Sequence, residues 1–345
     1  MHVVILGGGF CGAFTAKKLD KYPQIETTLV DNKRYYEYAP SLHKVIHKPE
    51  LLLKLRVPYH NFLKNTTIIR DTVEQVDTEK VYTTNQEISY DILVISMGIS
   101  YPIFLENTAH VFKLKNGKDV QAIIKQIHQA NHLLIVGGGK IGVEIAGEIV
   151  TKFPEKTLTV VHSKKRLLER NNDDASTFAQ KFLEKHGADI LLTEKVIQHN
   201  GSSYITNTGR KIHADLTFWC AGIQWKTSYM SKFPDTIFSP RHQLRVTSSL
   251  QLQGFPNIFV GGDLTDIQEE KTGRKAELHA RVIATNIRRL VTGKPLINYK
   301  QGTSPIVISL GDWYGILEYR KTIPSRFSIG LLKKAIEWWT LHQLH

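Results

Sequence analysis

The chain has 345 residues, enough for two or three domains with their own cores, and at 41% hydrophobic and 22% charged it has the composition of a folded globular protein. Its 45 Lys and Arg against 32 Asp and Glu leave a net charge of +13, which favours an acidic partner such as a phosphorylated cofactor or anionic lipid; no basic run interleaved with aromatics calls for nucleic acid. Cys11 and Cys220 fall in no CxxC or metal-ligand spacing, which points to a reducing compartment and against structural zinc, and no run of about 18 apolar residues predicts a membrane span.

In chain order, residues 3–6 read as a buried strand, since the apolar run is too short and lacks the basic start of a targeting signal. It leads directly into Gly7-Gly8-Gly9-Phe10-Cys11-Gly12 and then a helical pattern of Ala13, Phe14, Ala16 and Leu19. A second strand over 27–30 ends on Asp31, 19 residues past Gly12. Strand, glycine loop, helix and distal acid together make a dinucleotide-binding fingerprint. Gly7 permits the tight turn, Gly9 lets the backbone approach a pyrophosphate, and Gly12 lets the helix pack closely on the strand. The helix N-terminus offers N–H groups and positive dipole to the phosphates. Asp31 is the expected acceptor for an adenosine ribose.

The pattern recurs 130 residues later, with a strand over 132–136, the loop Gly137-Gly138-Gly139-Lys140-Ile141-Gly142 and a helix from Val143. Its second strand, over 158–161, ends on His162-Ser163 in place of an acid, with Lys164, Lys165 and Arg166 behind. A carboxylate at that point would hold a ribose diol and repel a 2′-phosphate; its absence permits NADPH alongside NADH, with Ser163 at the phosphate. The same cations also fit a solvated basic turn. Two fingerprints imply two nucleotides.

Three later segments carry a family resemblance. Tyr90-Asp91-Ile92-Leu93-Val94-Ile95-Ser96-Met97-Gly98 is similar to the strand and glycine that close the first FAD segment of two-dinucleotide flavoproteins. Asp215-Leu216-Thr217-Phe218-Trp219-Cys220-Ala221-Gly222 stands in the corresponding place of a nicotinamide domain, and Asn257-Ile258-Phe259-Val260-Gly261-Gly262-Asp263 looks like the late flavin motif. In this order they resemble the pyridine nucleotide-disulfide oxidoreductase superfamily over essentially the whole chain. Within it the sequence is most similar to type II NAD(P)H:quinone oxidoreductases and the ferroptosis-suppressor branch of the apoptosis-inducing-factor-like proteins. The residues that carry this are Gly142-Val143-Glu144-Ile145-Ala146-Gly147-Glu148, the span from Asp263 to Leu278-His279-Ala280, and a basic tail with paired Trp.

The resemblance implies an α/β fold of two Rossmann-like dinucleotide-binding domains, one for FAD and one for NAD(P), the second inserted in the first. The implied boundaries are 1–112 and 241–298 for FAD, 113–240 for NAD(P)H, and 299–345 for a short C-terminal region. It implies FAD as cofactor and NADH or NADPH as substrate. Val73 would meet the adenine through its backbone, His43 would lie along the FAD, Asp263 would reach the ribityl or pyrophosphate region, and Glu144 would sit near the nicotinamide. Ser96-Met97-Gly98 and Cys220-Ala221-Gly222 depart from the usual Ala-Thr-Gly.

The disulfide reductases of the superfamily relay electrons through a paired thiol, and sulfide:quinone reductases depend on paired or tripled cysteines. Cys11 has no neighbour in sequence and lies inside the phosphate loop, while Cys220 reads as a small buried hydrophobe. The expected route is hydride from NAD(P)H to flavin, then directly to a quinone or another small acceptor. Glu144 is expected either to orient the nicotinamide or to be a surface charge, and Glu148 to cap or pair structurally. By the resemblance Lys271 lies near the flavin, where its ammonium would stabilise the reduced ring. His279, on a helical pattern over 276–290, would donate to a quinone carbonyl or be a satisfied core histidine. Tyr35, Tyr36 and Tyr38 suggest an aromatic mouth or ordinary packing.

From Ser328 the tail places Ile329, Leu331, Leu332, Ala335, Ile336, Trp338 and Trp339 on one half of a helix, with Lys333, Lys334 and Glu337 on the other. Arg320, Lys321 and Arg326 lie just upstream. This pattern predicts a helix lying in an anionic membrane surface, on the cytoplasmic side, with the cations toward the headgroups. The alternative is a helix docked on the protein's own core or a second subunit. Two other functions remain open: reduction of a small redox protein, and a flavoprotein whose redox state switches partner binding.

Overall fold

The computed structural model describes residues 1–100, 102, 110–114, 117–225, 227–319, 321–325 and 328–344. Strand β1 (His2–Leu6) passes through the glycine loop into α1 (Phe10–Leu19), and β2 (Glu26–Asp31) returns parallel to β1. β3 (Thr66–Arg70) adds parallel to β2, and β4 (Ile92–Ile95) pairs with the other side of β1. The second unit repeats this plan. β5 (Val111–Phe112) precedes β6 (His132–Val136), which turns into α2 (Lys140–Lys152) and returns as β7 (Thr157–His162). α3 (Asp173–Lys185), β8 (Ala188–Leu192) and β9 (Leu216–Trp219) complete a parallel sheet of order β5-β9-β6-β7-β8.

The chain then re-enters the first sheet. β10 (Gln251–Leu252) and β11 (Phe255–Val260) extend it beyond β4, giving the order β10-β11-β4-β1-β2-β3. Helix α4 (Gly273–Val291) packs along α1. Both sheets are buried on two faces, as parallel sheets must be. Val3 and Ile5 of β1 enter one apolar cluster while Val4 and Leu6 enter another, and Leu133 and Ile135 of β6 alternate with Leu134 and Val136 in the same way. This is the α/β architecture with the second dinucleotide unit inserted in the first, as expected.

The C-terminal region holds more than the predicted tail helix. β12 (Ile306–Leu310), β13 (Tyr314–Tyr319) and β14 (Lys321–Ser325) form an antiparallel sheet that α5 (Ser328–His342) covers. The sheet sits hard against α2, because a side chain at Gly147 would come within 2.8 Å of the Leu310 backbone. The orientation of α5 corrects the sequence expectation. Ile329, Lys333, Thr340 and Leu344 face the protein and are buried, whereas Leu331, Trp338 and Trp339 are 59%, 62% and 59% exposed. Lys333 therefore cannot serve the headgroups; Arg320 and Arg326 lie outside the described residues. Among those residues no helix is long and apolar enough to cross a membrane.

Candidate functional site

The two glycine loops have one geometry. Gly9 caps α1 and Gly139 caps α2, both in extended backbone and neither with a side-chain cap. Gly7 and Gly137 have φ of +90° and +112°, where an added Cβ would lie 2.7 Å from the Ser96 carbonyl oxygen and 2.8 Å from the Cys220 carbonyl carbon. At Gly12 and Gly142 it would overlap the carbonyl oxygens of Gly7 and Gly137, so each helix is pressed onto its loop. A side chain added at Gly9 or Gly139 meets no protein atom within 4 Å. Both positions open onto one cleft of about 1710 Å³, more than the roughly 300–1,000 Å³ of a site for one small ligand.

The strand ends differ. Asp31 Oδ2 accepts a hydrogen bond from Gly8 N at 2.6 Å and Oδ1 one from Lys33 N at 2.7 Å. In the second unit His162 Nδ1 accepts from Gly138 N at 3.1 Å, which places its proton on Nε2, facing the Glu169 carboxylate at 3.2 Å. Burial lowers the His162 pKa, with Glu169 opposing. Ser163 lines the cleft, but Lys164, Lys165 and Arg166 do not. Arg166 is spent on Asp173, at 2.9 Å, and on the Glu169 carbonyl.

A buried polar cluster forms where the C-terminal region meets α2. Glu144 Oε1 accepts from Ser309 N at 3.0 Å and from the Lys333 ammonium, and Oε2 lies 3.7 Å from His43 Nδ1. His43 Nε2 is 2.8 Å from Ser309 Oγ and 3.4 Å from Lys333 Nζ. Burial, then Lys333, Lys44 and His47, lower the His43 pKa well below its ordinary value, so it is neutral. One turn along α2, Glu148 is fully buried with no hydrogen-bond partner, 3.3 Å from His47 Nδ1. Burial raises its pKa to about 7, and His43 Nε2 lies 3.7 Å from its other oxygen. His43, Glu144 and Lys333 line the cleft.

The remaining predicted residues divide. Gly7, Gly9, Phe10, Asp31, Val73, Gly98, Asp263, Gly137 and Gly139 line the cleft with them, whereas Gly8, Gly12 and Gly142 stand behind it as backbone supports. Lys271 lines it, but its ammonium donates to the carbonyls of Thr265 and Ile267 at 2.7 and 3.0 Å and to Thr265 Oγ1 at 3.1 Å. It brings charge to the cleft with its protons already committed. His279 corrects the expectation of a quinone donor. It is buried outside the cleft lining, Nδ1 accepts from Gly262 N at 3.0 Å, and Nε2 is 3.0 Å from Glu269 Oε1. Tyr36 is fully buried against Phe10 and Phe14, and of the three tyrosines Tyr38 alone lines the cleft. Sequence reasoning missed Ser309, Glu169 and the inward turn of Lys333. No periodicity or spacing marks them: Ser309 and Lys333 reach Glu144 from a distant segment, and Glu169 reaches His162 through an irregular turn.

Two glycine loops on one cleft, each at the head of a parallel sheet, define a two-dinucleotide oxidoreductase. The chain belongs to the pyridine nucleotide-disulphide oxidoreductase family, whose model matches residues 1–284. It is similar to apoptosis-inducing factor homolog B of Dictyostelium discoideum, 32% identical over 93% of this chain and 90% of that one. It is 29% identical to ferroptosis suppressor protein 1 of Xenopus tropicalis, over 96% and 92% of the two chains. Among solved structures, the sulfide:quinone oxidoreductase of Aquifex aeolicus shares the fold with a TM-score of 0.88 at 18% identity, over 99% and 91%. Cys11 is buried in the first loop and Cys220 stands by the second, and burial pushes both thiols up to about 12, far from a thiolate relay.

Proposed function

We propose that this flavin- and pyridine-nucleotide-dependent oxidoreductase reduces a lipophilic quinone at a membrane surface. The observation that carries this is the placement of α5. Ala335, Ile336 and Trp339 line the cleft, and the same helix turns Leu331, Trp338 and Trp339 to the exterior. The cleft thus opens beside an apolar, tryptophan-bearing face of the kind that beds into headgroups. Trp313, 53% exposed, lies beside this helix, with the exposed Lys334 ammonium 5.8 Å from its ring.

The residues present fit FAD in the first half. The open position over Gly9 and the uncapped start of α1 suit a pyrophosphate, and the second acceptor valence of each Asp31 oxygen suits a ribose diol. Val73, Gly98 and Asp263 lie along the same wall, and the corresponding loop at Gly139 would take NAD(P)H. FAD bound there supplies a ring able to accept a hydride and release two electrons. Glu144, fixed by Ser309 and Lys333, orients what lies between the two loops, and neutral His43 holds a hydrogen bond through Nε2 to Ser309 Oγ. Cys11 and Cys220 line the cleft from different loops as free, un-ionised thiols, so the acceptor itself enters it.

The test leaves the packed side of α5 untouched. A Leu331→Glu/Trp338→Glu variant should bind phosphatidylcholine/phosphatidylserine vesicles at least about tenfold more weakly and lose turnover of a long-chain quinone. Turnover of a water-soluble quinone should stay within about twofold of wild type. Unchanged vesicle binding, or equal loss with both quinones, overturns the membrane reading.

A further inference from the structure

The sequence reads the second unit as lacking an acid at its ribose site, and the fold returns one from elsewhere. We propose that Glu169, seven residues past the strand end, is the acceptor for the adenosine ribose hydroxyls of the pyridine nucleotide, and that it makes the site one for NADH rather than NADPH. The argument is the internal correspondence of the two units. Asp31 and His162 hold equivalent places, each accepting a hydrogen bond from the middle glycine of its loop. Asp31 retains free lone pairs after its two backbone bonds. His162 does not. A neutral imidazole has one acceptor nitrogen, and Gly138 N uses it. The ring can offer a ribose hydroxyl no further acceptor.

Glu169 supplies what His162 cannot. Its carboxylate stands 3.2 Å from the imidazole Nε2, a contact that uses at most one of its four acceptor sites and leaves the others for a ligand. It lines the cleft, and its side chain is 32% exposed, so a ligand can reach it. A carboxylate accepts hydrogen bonds from a 2′,3′-diol and repels a 2′-phosphate, and the cations that would reward the phosphate are turned away. Lys164 and Lys165 are outside the cleft lining and Arg166 is paired with Asp173. Arg170 and Lys195 also line this stretch and pull toward the phosphate; Glu169 opposes them from 3.2 Å beside the imidazole, and Glu194 lines the stretch as a second carboxylate.

This assignment rests on the pyridine-nucleotide reading of the second loop and is independent of the quinone. Calorimetric binding of ADP-ribose and 2′-phospho-ADP-ribose tests it without turnover, beside flavin reduction by NADH and NADPH. Wild-type protein should bind ADP-ribose at least about tenfold more tightly than its 2′-phosphate. Glu169→Gln should narrow that gap by about tenfold, chiefly through tighter binding of the phosphorylated ligand, and Glu169→Lys should reverse it. Arg170→Ala should widen it. Retained FAD content and melting temperature show that the variants are intact. A wild-type preference for the 2′-phosphate, a Glu169→Gln ratio within twofold of wild type, or no binding of either ligand overturns the proposal. Loss of quinone turnover with the binding ratios intact would instead count against the quinone alone.

Discussion

The two glycine loops are built alike and diverge one layer behind. Two residues past the last glycine of each loop, α1 carries Phe14 and α2 carries Glu144. Phe14 is buried edge-on against Tyr36, inside the first unit's own core. Glu144 faces the C-terminal sheet and binds Lys333 and Ser309. The first loop is thus finished by its own unit, whereas the second is finished by a helix nearly 190 residues away, with |i−j| of 189 for the Lys333–Glu144 pair. A fixed, apolar-backed loop suits a resident cofactor. A loop backed by an ion pair to α5 is tied to a helix that also lines the cleft.

The sharpest break of this comparison is at the loops themselves. Gly9→Val and Gly139→Val place side chains where no protein atom lies within 4 Å, so both variants should fold. Gly9→Val should purify almost colourless, while Gly139→Val should keep its FAD and lose NADH-dependent flavin reduction by roughly 100-fold, about 3 kcal/mol of binding. Absorbance spectra and stopped-flow reduction read both; equal FAD loss in the two variants would show that the loops do not divide the cofactors.

A second effect separates the layers behind the loops. Lys333→Met removes one partner of a buried ion pair and leaves Glu144 uncompensated, which typically costs about 3–5 kcal/mol. Urea unfolding should show a loss of that order, at least about 3 kcal/mol, whereas Phe14→Leu, a core trim in the other unit, should cost about 1–2 kcal/mol. Wild-type stability in Lys333→Met would mean that α5 is held by its apolar contacts alone.

The smallest difference is in pH dependence. Burial, then Asp312, raise Glu148, against Lys44, Lys333 and Lys152. Its folded pKa of about 7 exceeds the ordinary value of 4.5, so its contribution to stability is full below that value and declines as pH rises to about 7. Buried His47 works oppositely: burial, then Lys48 and Lys152, lower it from 6.5 to about 4, and its contribution is lost as pH falls through that range. The two nearly cancel in the wild type. Glu148→Gln removes one of them, so the variant should match wild type near pH 4.5 and exceed it by about 2 kcal/mol at pH 8. A pH-independent difference between the two proteins would show that Glu148 is ionised at no such cost.

Local chemistry made the loops legible. Gly7, Gly9, Gly12 and their second set are demanded by turn geometry and close packing, which act within a few residues and leave a pattern in sequence. The strands 3–6, 27–30, 132–136 and 158–161 were legible for the same reason, since two-sided burial makes each an apolar run. The antiparallel sheet from Ile306 to Ser325 was not, because the polar residues Ser309, Glu318 and Thr322 interrupt the apolar pattern of its strands. The tail helix was legible as a helix with an exposed apolar side, and only the inward turn of Ile329 and Lys333 was misread.

The sequence by itself determined two nucleotide-binding loops, the acid at Asp31, the missing thiol pair and the apolar wealth of the tail. Tertiary structure decided the rest: that Lys333 turns inward, that His279 is spent on Gly262 and Glu269, and that Glu169 stands against His162. The physical reason is one of range. Glycine geometry and strand burial are set by neighbours in the chain, and so appear as spacing. Whether a polar side chain is free or committed depends on which distant donor or acceptor reaches it after burial, and a buried ammonium is tolerable only because Glu144, Ser309 and His43 converge on it from three other segments.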